Sequence, residues 1–311
     1  MDHTLSLLLF KQIASLFLMV AAGFLIVKLK ILSAKDSRVL SLLCIYIIVP
    51  CVIVNSFQLE LTDSVRNGFL LAVGAAVLIH ICLLLMGFPL KWMKLDAVGR
   101  GSVMYSNSGN LVIPLVSAVL GPEWVIYSSA YMCVQLVFVW THCNALISGQ
   151  TKPQWKKIFT NCNLIAIAVG LILMLLRVRL PSVLTNAMSS LGDMLGPMSM
   201  LLVGMLLAEA DLKAIFTNRE TWLIAVLKMI VSPLVLLLVL KLSGLANLIP
   251  DGRMVLYTSF LAASAPTATM ITQLSQLYRN RPDYASAINV MTTLSCIITM
   301  PLLTEVYMRL M

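Results

Sequence analysis

The chain alternates long apolar runs with short polar links. A membrane-spanning helix takes about 20 predominantly apolar residues. Cutting the runs at charge, proline or glycine gives ten segments, 7–29, 37–56, 68–90, 99–120, 124–147, 160–176, 186–208, 221–243, 254–277 and 285–309. The pattern predicts an all-α polytopic membrane protein with ten transmembrane helices. The central link (SGQTKPQWKKIF, Ser148 to Phe159) is too short to fold alone. The start, MDHTLSLLLF, has neither a basic n-region nor an A-x-A site followed by polar sequence, so the first run is expected to stay as a span.

Composition agrees. Of 311 residues 60% are hydrophobic and 11% charged, with a mean hydropathy of +0.95, whereas a soluble domain carries about 25% charged residues. No room remains for a soluble catalytic domain. Lys and Arg number 22 against 13 Asp and Glu, a net charge of +9. The basic residues sit in the links, where they set topology and meet anionic lipid, so nucleic acid is not an expected partner. The odd-numbered links hold 14 Lys and Arg. The opposite side, counting the termini, holds 7, among them Lys11, Arg66, Arg177 and Arg179. The positive-inside rule then puts both termini outside, in a multi-pass protein of the plasma or inner membrane. The seven cysteines form no C-x-x-C and read as free, buried thiols. No cofactor or metal set is expected.

Punctuation inside the runs recurs. Pro50 and Pro197 are 147 residues apart, and Pro114 and Pro266 are 152 apart. Two five-span repeats, 1–148 and 160–311, joined by a cytoplasmic link at 149–159, fit this spacing. Because five is odd, the second repeat is inverted. Inverted repeats with interrupted helices in matching positions are the arrangement of secondary transporters, with substrate bound near the midplane. Against this stands the general frequency of proline in membrane helices.

Span four contains MYSNSGNLVIPL, placing Asn107, Ser108, Gly109, Asn110 and Pro114 inside an apolar stretch. Proline removes a donor and clashes with the carbonyl four residues back, and the amides of Asn107 and Asn110 are expected to pair with the freed backbone. Span nine offers AASAPTATMITQ, with Ser264, Pro266, Thr267, Thr269 and Gln273. Unwound backbone at membrane depth survives only inside protein or along a wet cavity. Crossed breaks would bring half-helix N-termini to one point, a ready anion site. Asn107, Ser108, Asn110, Pro114, Ser264, Pro266, Thr267 and Gln273 are therefore the candidate substrate residues, the competing reading being proline kinks whose polar neighbours merely satisfy backbone.

The stretch N-S-G-N-L-V-I-P-L at 107–115 resembles the fourth-helix motif of the auxin efflux carrier family, in its bacterial-type members within the bile/arsenite/riboflavin transporter-like superfamily. Further similarity lies in I-V-P at 48–50, P-M-S-M-L-L-V-G-M-L-L-A at 197–208, and the tail with Pro266, L-Y at 277–278 and T-T-L-S-C-I-I-T-M-P-L-L at 292–303. One departure is Val112, where the family usually has glycine. The resemblance implies crossed broken helices in a sodium/proton antiporter-like fold, transport of organic anions such as auxin, malate or malonate, and a homodimer. It does not choose among those substrates.

Charges inside spans are costly and default to functional hypotheses. His80 in span three and Lys228 in span eight are 148 residues apart, close to the offset of the prolines. Both are candidate coupling residues, with proton or sodium coupling open. The alternatives are a snorkelling lysine and a histidine bonded to a backbone carbonyl. His142, Asp193 and Glu305 are expected near span ends.

An enzyme is not expected. L-G-D at 191–193 resembles an intramembrane aspartyl protease motif, but no facing span supplies a second aspartate, and H-E-x-x-H, G-x-S-x-G and the P-loop are absent. An ion-coupled cation or proton antiporter on the same fold, a channel and a sensor remain as alternatives to an anion carrier.

Overall fold

The computed structural model describes residues 15, 18–149, 155–209 and 212–311. The start of the first span with Lys11, and most of the central link with Lys152, lie outside the described residues. Among the described residues six helices have the length and apolarity to cross a membrane. These are α2 (Ser37–Ser56), α3 (Asp63–Trp92), α6 (Pro122–Ser148), α8 (Ser182–Glu209), α9 (Arg219–Leu242) and α12 (Pro282–Leu310). Spans one and six appear as the shorter apolar helices α1 (Leu18–Lys28) and α7 (Cys162–Leu175). Spans four and nine are each split. α4 (Ala97–Met104) is followed by α5, a π turn over Ser108–Val112 that runs into Ile113–Val119, and α10 (Gly252–Ser264) is followed by α11 (Thr269–Leu277). The chain is an all-α polytopic membrane protein.

Local sequence fixes where these helices start and bend. Thr62, Asp96, Asn161 and Asn218 accept hydrogen bonds from first-turn N–H groups of α3, α4, α7 and α9, which is why short polar residues interrupt the apolar runs there. Three prolines, Pro50, Pro114 and Pro233, each stand two residues after a π turn, at Cys44–Ile48, Ser108–Val112 and Leu227–Val231. The wider turn absorbs the missing donor and the ring's clash with the preceding carbonyl.

The helices pack as two groups. Helix α2 packs on both α7 and α8, and α3, α4, α5, α6, α9, α10, α11 and α12 form the other set. α1 joins the first group through glycine. Gly23 lies against the backbone of Leu201, and Gly204 against that of Val20, so closely that neither site has room for a Cβ. Small residues that let backbones meet are the usual glue between membrane helices. In the second group Ala72, Ala75, Ala76 and Ile79 of α3 are fully buried, and α3 packs on α6 and α10. Where the odd-numbered links emerge, the Arg281 guanidinium bonds Asp96 (2.7 Å) and Glu220 (2.8 Å) and lies 3.9 Å over the Tyr284 ring. It ties the starts of α4, α9 and α12 together. All seven cysteines are free.

Candidate functional site

The interruption in span four falls at Tyr105–Asn107, at the start of the stretch MYSNSGNLVIPL rather than at its proline. Pro114 itself is accommodated by the π turn. The interruption in span nine is centred on Pro266, as its sequence suggests. Both unwound stretches are extended at their start, Tyr105 at φ −111°, ψ 133° and Ala265 at φ −64°, ψ 159°, and they pair antiparallel at Ser106 and Thr267. Asn107 N–H donates to Pro266 O (2.8 Å), and Ala268 N–H to Tyr105 O (3.0 Å). The two broken helices therefore cross and share a two-bond backbone ladder.

Side chains complete the pairing. Ser106 Oγ donates to Ala263 O (2.7 Å), and Thr267 Oγ1 to Ser102 O (3.0 Å). Gln135 on α6 serves Ser106 from the side, accepting from its N–H (3.2 Å) and donating to its carbonyl (2.8 Å) and to Ser108 Oγ (2.9 Å). On α12, Thr292 Oγ1 accepts from Thr267 N–H (3.2 Å) and Asn289 Nδ2 donates to Thr267 O (2.9 Å). At membrane depth every such group needs a protein partner, and these supply it. Gln135, Asn289 and Thr292 were not singled out from the sequence. The available signal was an amide or hydroxyl in the apolar run following each break.

The side-chain amides of Asn107 and Asn110 do not pair with the backbone at the crossing as expected, although Asn107 N–H belongs to the ladder. Both are half-buried, and their side-chain amides make no hydrogen bond among the described residues, so they are free for a ligand or solvent. Ser108 and Ser264 are buried, the second with no partner for its hydroxyl. Gln273 is exposed on α11, away from the crossing. Pro114 alone of the candidate set lines a cavity of about 780 Å³ between the two helix groups. Met19, Val52 and Pro197 form one side of it, and Pro114, Ser117 and Val125 the other. Gln58 and Glu123 lie at the end where the even-numbered links emerge.

Lys228 sits in the π turn of α9 and is fully buried, its ammonium donating to Ser106 Oγ (2.6 Å) and Ala263 O (3.2 Å). It does not snorkel, and it does not line the cavity; no carboxylate pairs with it among the described residues. His80 does not touch the crossing. Its Nδ1 meets Ala76 O (2.7 Å), its ring stacks on Phe138 at 5.2 Å, and its Nε2 has no partner. The carbonyl-bonded alternative describes His80. His142, expected at an interface, instead bonds Tyr105 OH through Nδ1 (2.8 Å), one residue from the crossing. Asp193 is exposed where α8 turns at Met194, and Glu305 bonds Arg309 (2.7 Å) near the end of α12. Among the described residues no three His, Cys, Asp or Glu side chains gather as a metal site.

Broken helices that cross inside a polytopic bundle are the arrangement of secondary transporters. A family model described as membrane transport protein matches residues 8–154 and 149–304, and the chain belongs to that family, the auxin efflux carriers. No curated protein matches it.

Proposed function

We propose that this transporter is a secondary carrier of small organic anions, such as auxin-like carboxylates, malate or malonate, working by alternating access about the crossing of α4–α5 with α10–α11. The observation that carries the reading is the reciprocity of the two breaks. Each is paired by the other's backbone, capped by the other's hydroxyl, and served by a polar side chain of the span that follows it. Such two-fold correspondence supports two inverted five-span repeats, 1–148 and 160–311. The seam cavity between two helix groups supports movement of one group against the other. In this reading spans three to five and eight to ten move against spans one, two, six and seven. The free amides of Asn107 and Asn110 and the N-terminal turns of α5 and α11 meet the carboxylate, and Lys228 braces the crossing from behind. The charge of the links supports termini outside, and the family resemblance supports a homodimer.

The test is uptake of a labelled carboxylate panel into proteoliposomes, with pH, sodium and voltage varied separately. Saturable uptake of at least one carboxylate is expected. Ion exchange that proceeds equally with no carbon substrate would replace this reading with that of a cation antiporter, and current far above carrier turnover with that of a channel.

A further inference from the structure

A fourth π turn, Val139–Cys143 on α6, has Ala145 where the other three have a proline two residues on. Those three each absorb a ring, and this one needs another reason; single π turns inside helices are frequent at functional sites. It carries His142, half-buried, whose Nδ1 meets Tyr105 OH at 2.8 Å. Tyr105 is buried, its backbone opens the break in span four, and its carbonyl accepts from Ala268 N–H (3.0 Å). One side chain thus joins a titratable ring to the backbone ladder of the crossing.

The tyrosine hydroxyl has two acceptors within reach, His142 Nδ1 and, at 3.3 Å, Phe138 O. With neutral His142 carrying its proton on Nε2, Tyr105 donates to Nδ1. A second proton makes both ring nitrogens donors. Nδ1–H then donates to the tyrosine oxygen, and the Tyr105 O–H turns to Phe138 O, which Thr141 Oγ1 also approaches (3.5 Å). The added charge lies beside Arg100 of α4, a like charge, and α4 packs on the end of α6. The short helix Trp155–Phe159, packed on the π turn, brings Lys156 and Lys157, the second 5.0 Å over the Trp140 ring. Tyr278 of α11 donates to Asn144 (3.0 Å), His80 of α3 stacks on Phe138, and Tyr131 and Cys143 adjoin Tyr105. Protonation therefore reverses a bond to the break and sets like charges against each other where α4 meets α6.

We propose that His142 is a positioning residue whose protonation loosens the crossing through Tyr105 and so ties turnover to pH. The inference rests on the carrier reading and adds a residue to it. Histidine is the side chain whose ordinary charge change falls between about pH 5 and 8, and His142 is bonded to the residue at which the helix breaks.

Hydrogen–deuterium exchange of the full-length protein in nanodiscs, corrected for the intrinsic rate at each pH, tests this at about pH 5.5 and 8. The amides to read are those of Asn107 and Ala268, the two donors of the ladder. Wild-type protection there is expected to be about three- to tenfold lower at the acid pH, and that difference should vanish in His142→Gln. Tyr105→Phe keeps the imidazole but removes the hydroxyl, and should abolish the difference too. A variant that merely weakened packing would lower protection equally at both pH values. The same pH dependence in wild type and His142→Gln, or its survival in Tyr105→Phe, would overturn the proposal, and Tyr105→Phe decides it even if His142→Gln misfolds. Uptake of labelled malate, malonate and indole-3-acetate into proteoliposomes reads the same switch in function. Turnover rather than KM should vary with pH in the wild type and be flat in His142→Gln; an unchanged profile in the variant would also overturn it. Absence of uptake for all three would count against the carrier reading, while the exchange series still decides whether His142 sets the crossing.

Discussion

Ser106 and Thr267 face each other at the crossing, and each hydroxyl caps the carbonyl four residues before the other, Ser106 on Ala263 and Thr267 on Ser102. Those are the carbonyls that the N–H groups of Thr267 and Ser106 would have reached in unbroken helices. Each break thus repairs what the other lost. Thr267→Val is expected to cost about 1–3 kcal/mol by leaving the buried Ser102 carbonyl without its hydroxyl partner, and Ser106→Ala a similar amount by taking an acceptor from the buried Lys228 ammonium and one of two donors from Ala263 O. The double variant should depart from additivity, since both hydroxyls serve one ladder. Thermal unfolding in detergent of the two singles and the double measures this; strict additivity would mean that the breaks are held independently.

Gln135 and the two asparagines are expected to separate stability from binding. Gln135→Leu strands the N–H of Ser106 and takes one of two donors from its carbonyl, the other being Ser108 N–H, and should lower stability by about 1–3 kcal/mol. Asn107→Ala and Asn110→Ala remove amides that hold nothing in the protein, so unfolding should shift little while carboxylate binding falls roughly 5- to 150-fold if one such bond is lost. Paired melting and binding curves distinguish the two outcomes. Normal transport by the Asn107/Asn110 double alanine variant would move the substrate site elsewhere.

Lys228→Ala is expected to reduce transport more than His80→Ala, because Lys228 bonds both Ser106 and Ala263 whereas His80 bonds only its own helix. The lysine acts through the crossing, as a positioning residue. Its loss should therefore change turnover more than substrate affinity, and Lys228→Met, which keeps the volume, should not restore it. Flux measured against substrate concentration for all three variants decides; unchanged flux in Lys228→Ala would leave the lysine a purely structural group.

Two glycines predict opposite signs. Gly204 packs on Val20 backbone, so Gly204→Leu forces α1 and α8 apart and should destabilise by about 1–3 kcal/mol or more. Gly74 on α3 has open space where a Cβ would go, and Gly74→Ala should leave stability unchanged or raise it by up to about 1 kcal/mol. Melting temperature and monodispersity in detergent report both.

The Arg281 clamp should matter modestly. Its hydrogen bond to Glu220, followed by that to Asp96, holds the guanidinium above its ordinary pKa. Its contribution is therefore fully present below the unfolded value and lost only as pH rises through the raised folded one, well outside the working range. The side chain is 45% exposed, so Arg281→Gln is expected to cost less than about 1 kcal/mol and to lose that difference in high salt. Melting at low and high ionic strength measures it.

The sequence by itself determined the all-α membrane class, the segments and the two interrupted spans. Lipid forces every apolar run of spanning length into helix, and prolines beside polar clusters inside such runs disrupt that helix's own hydrogen bonds. Pro266 marked its break directly. Pro114 did not, since a π turn can absorb a proline without unwinding the helix, and the true interruption at Tyr105–Asn107 carries no residue that forbids helix. Which side chains hold the crossing was a tertiary matter. Gln135, Asn289 and Thr292 lie 22 or more residues from the groups they serve, each on a different helix from its partner, and no local rule separates them from the chain's other buried amides and hydroxyls. The offset between His80 and Lys228 suggested matched roles, yet only packing made one a brace of the crossing and the other a stacked ring, because the hydroxyl and carbonyl that draw the ammonium arrive from two different broken spans.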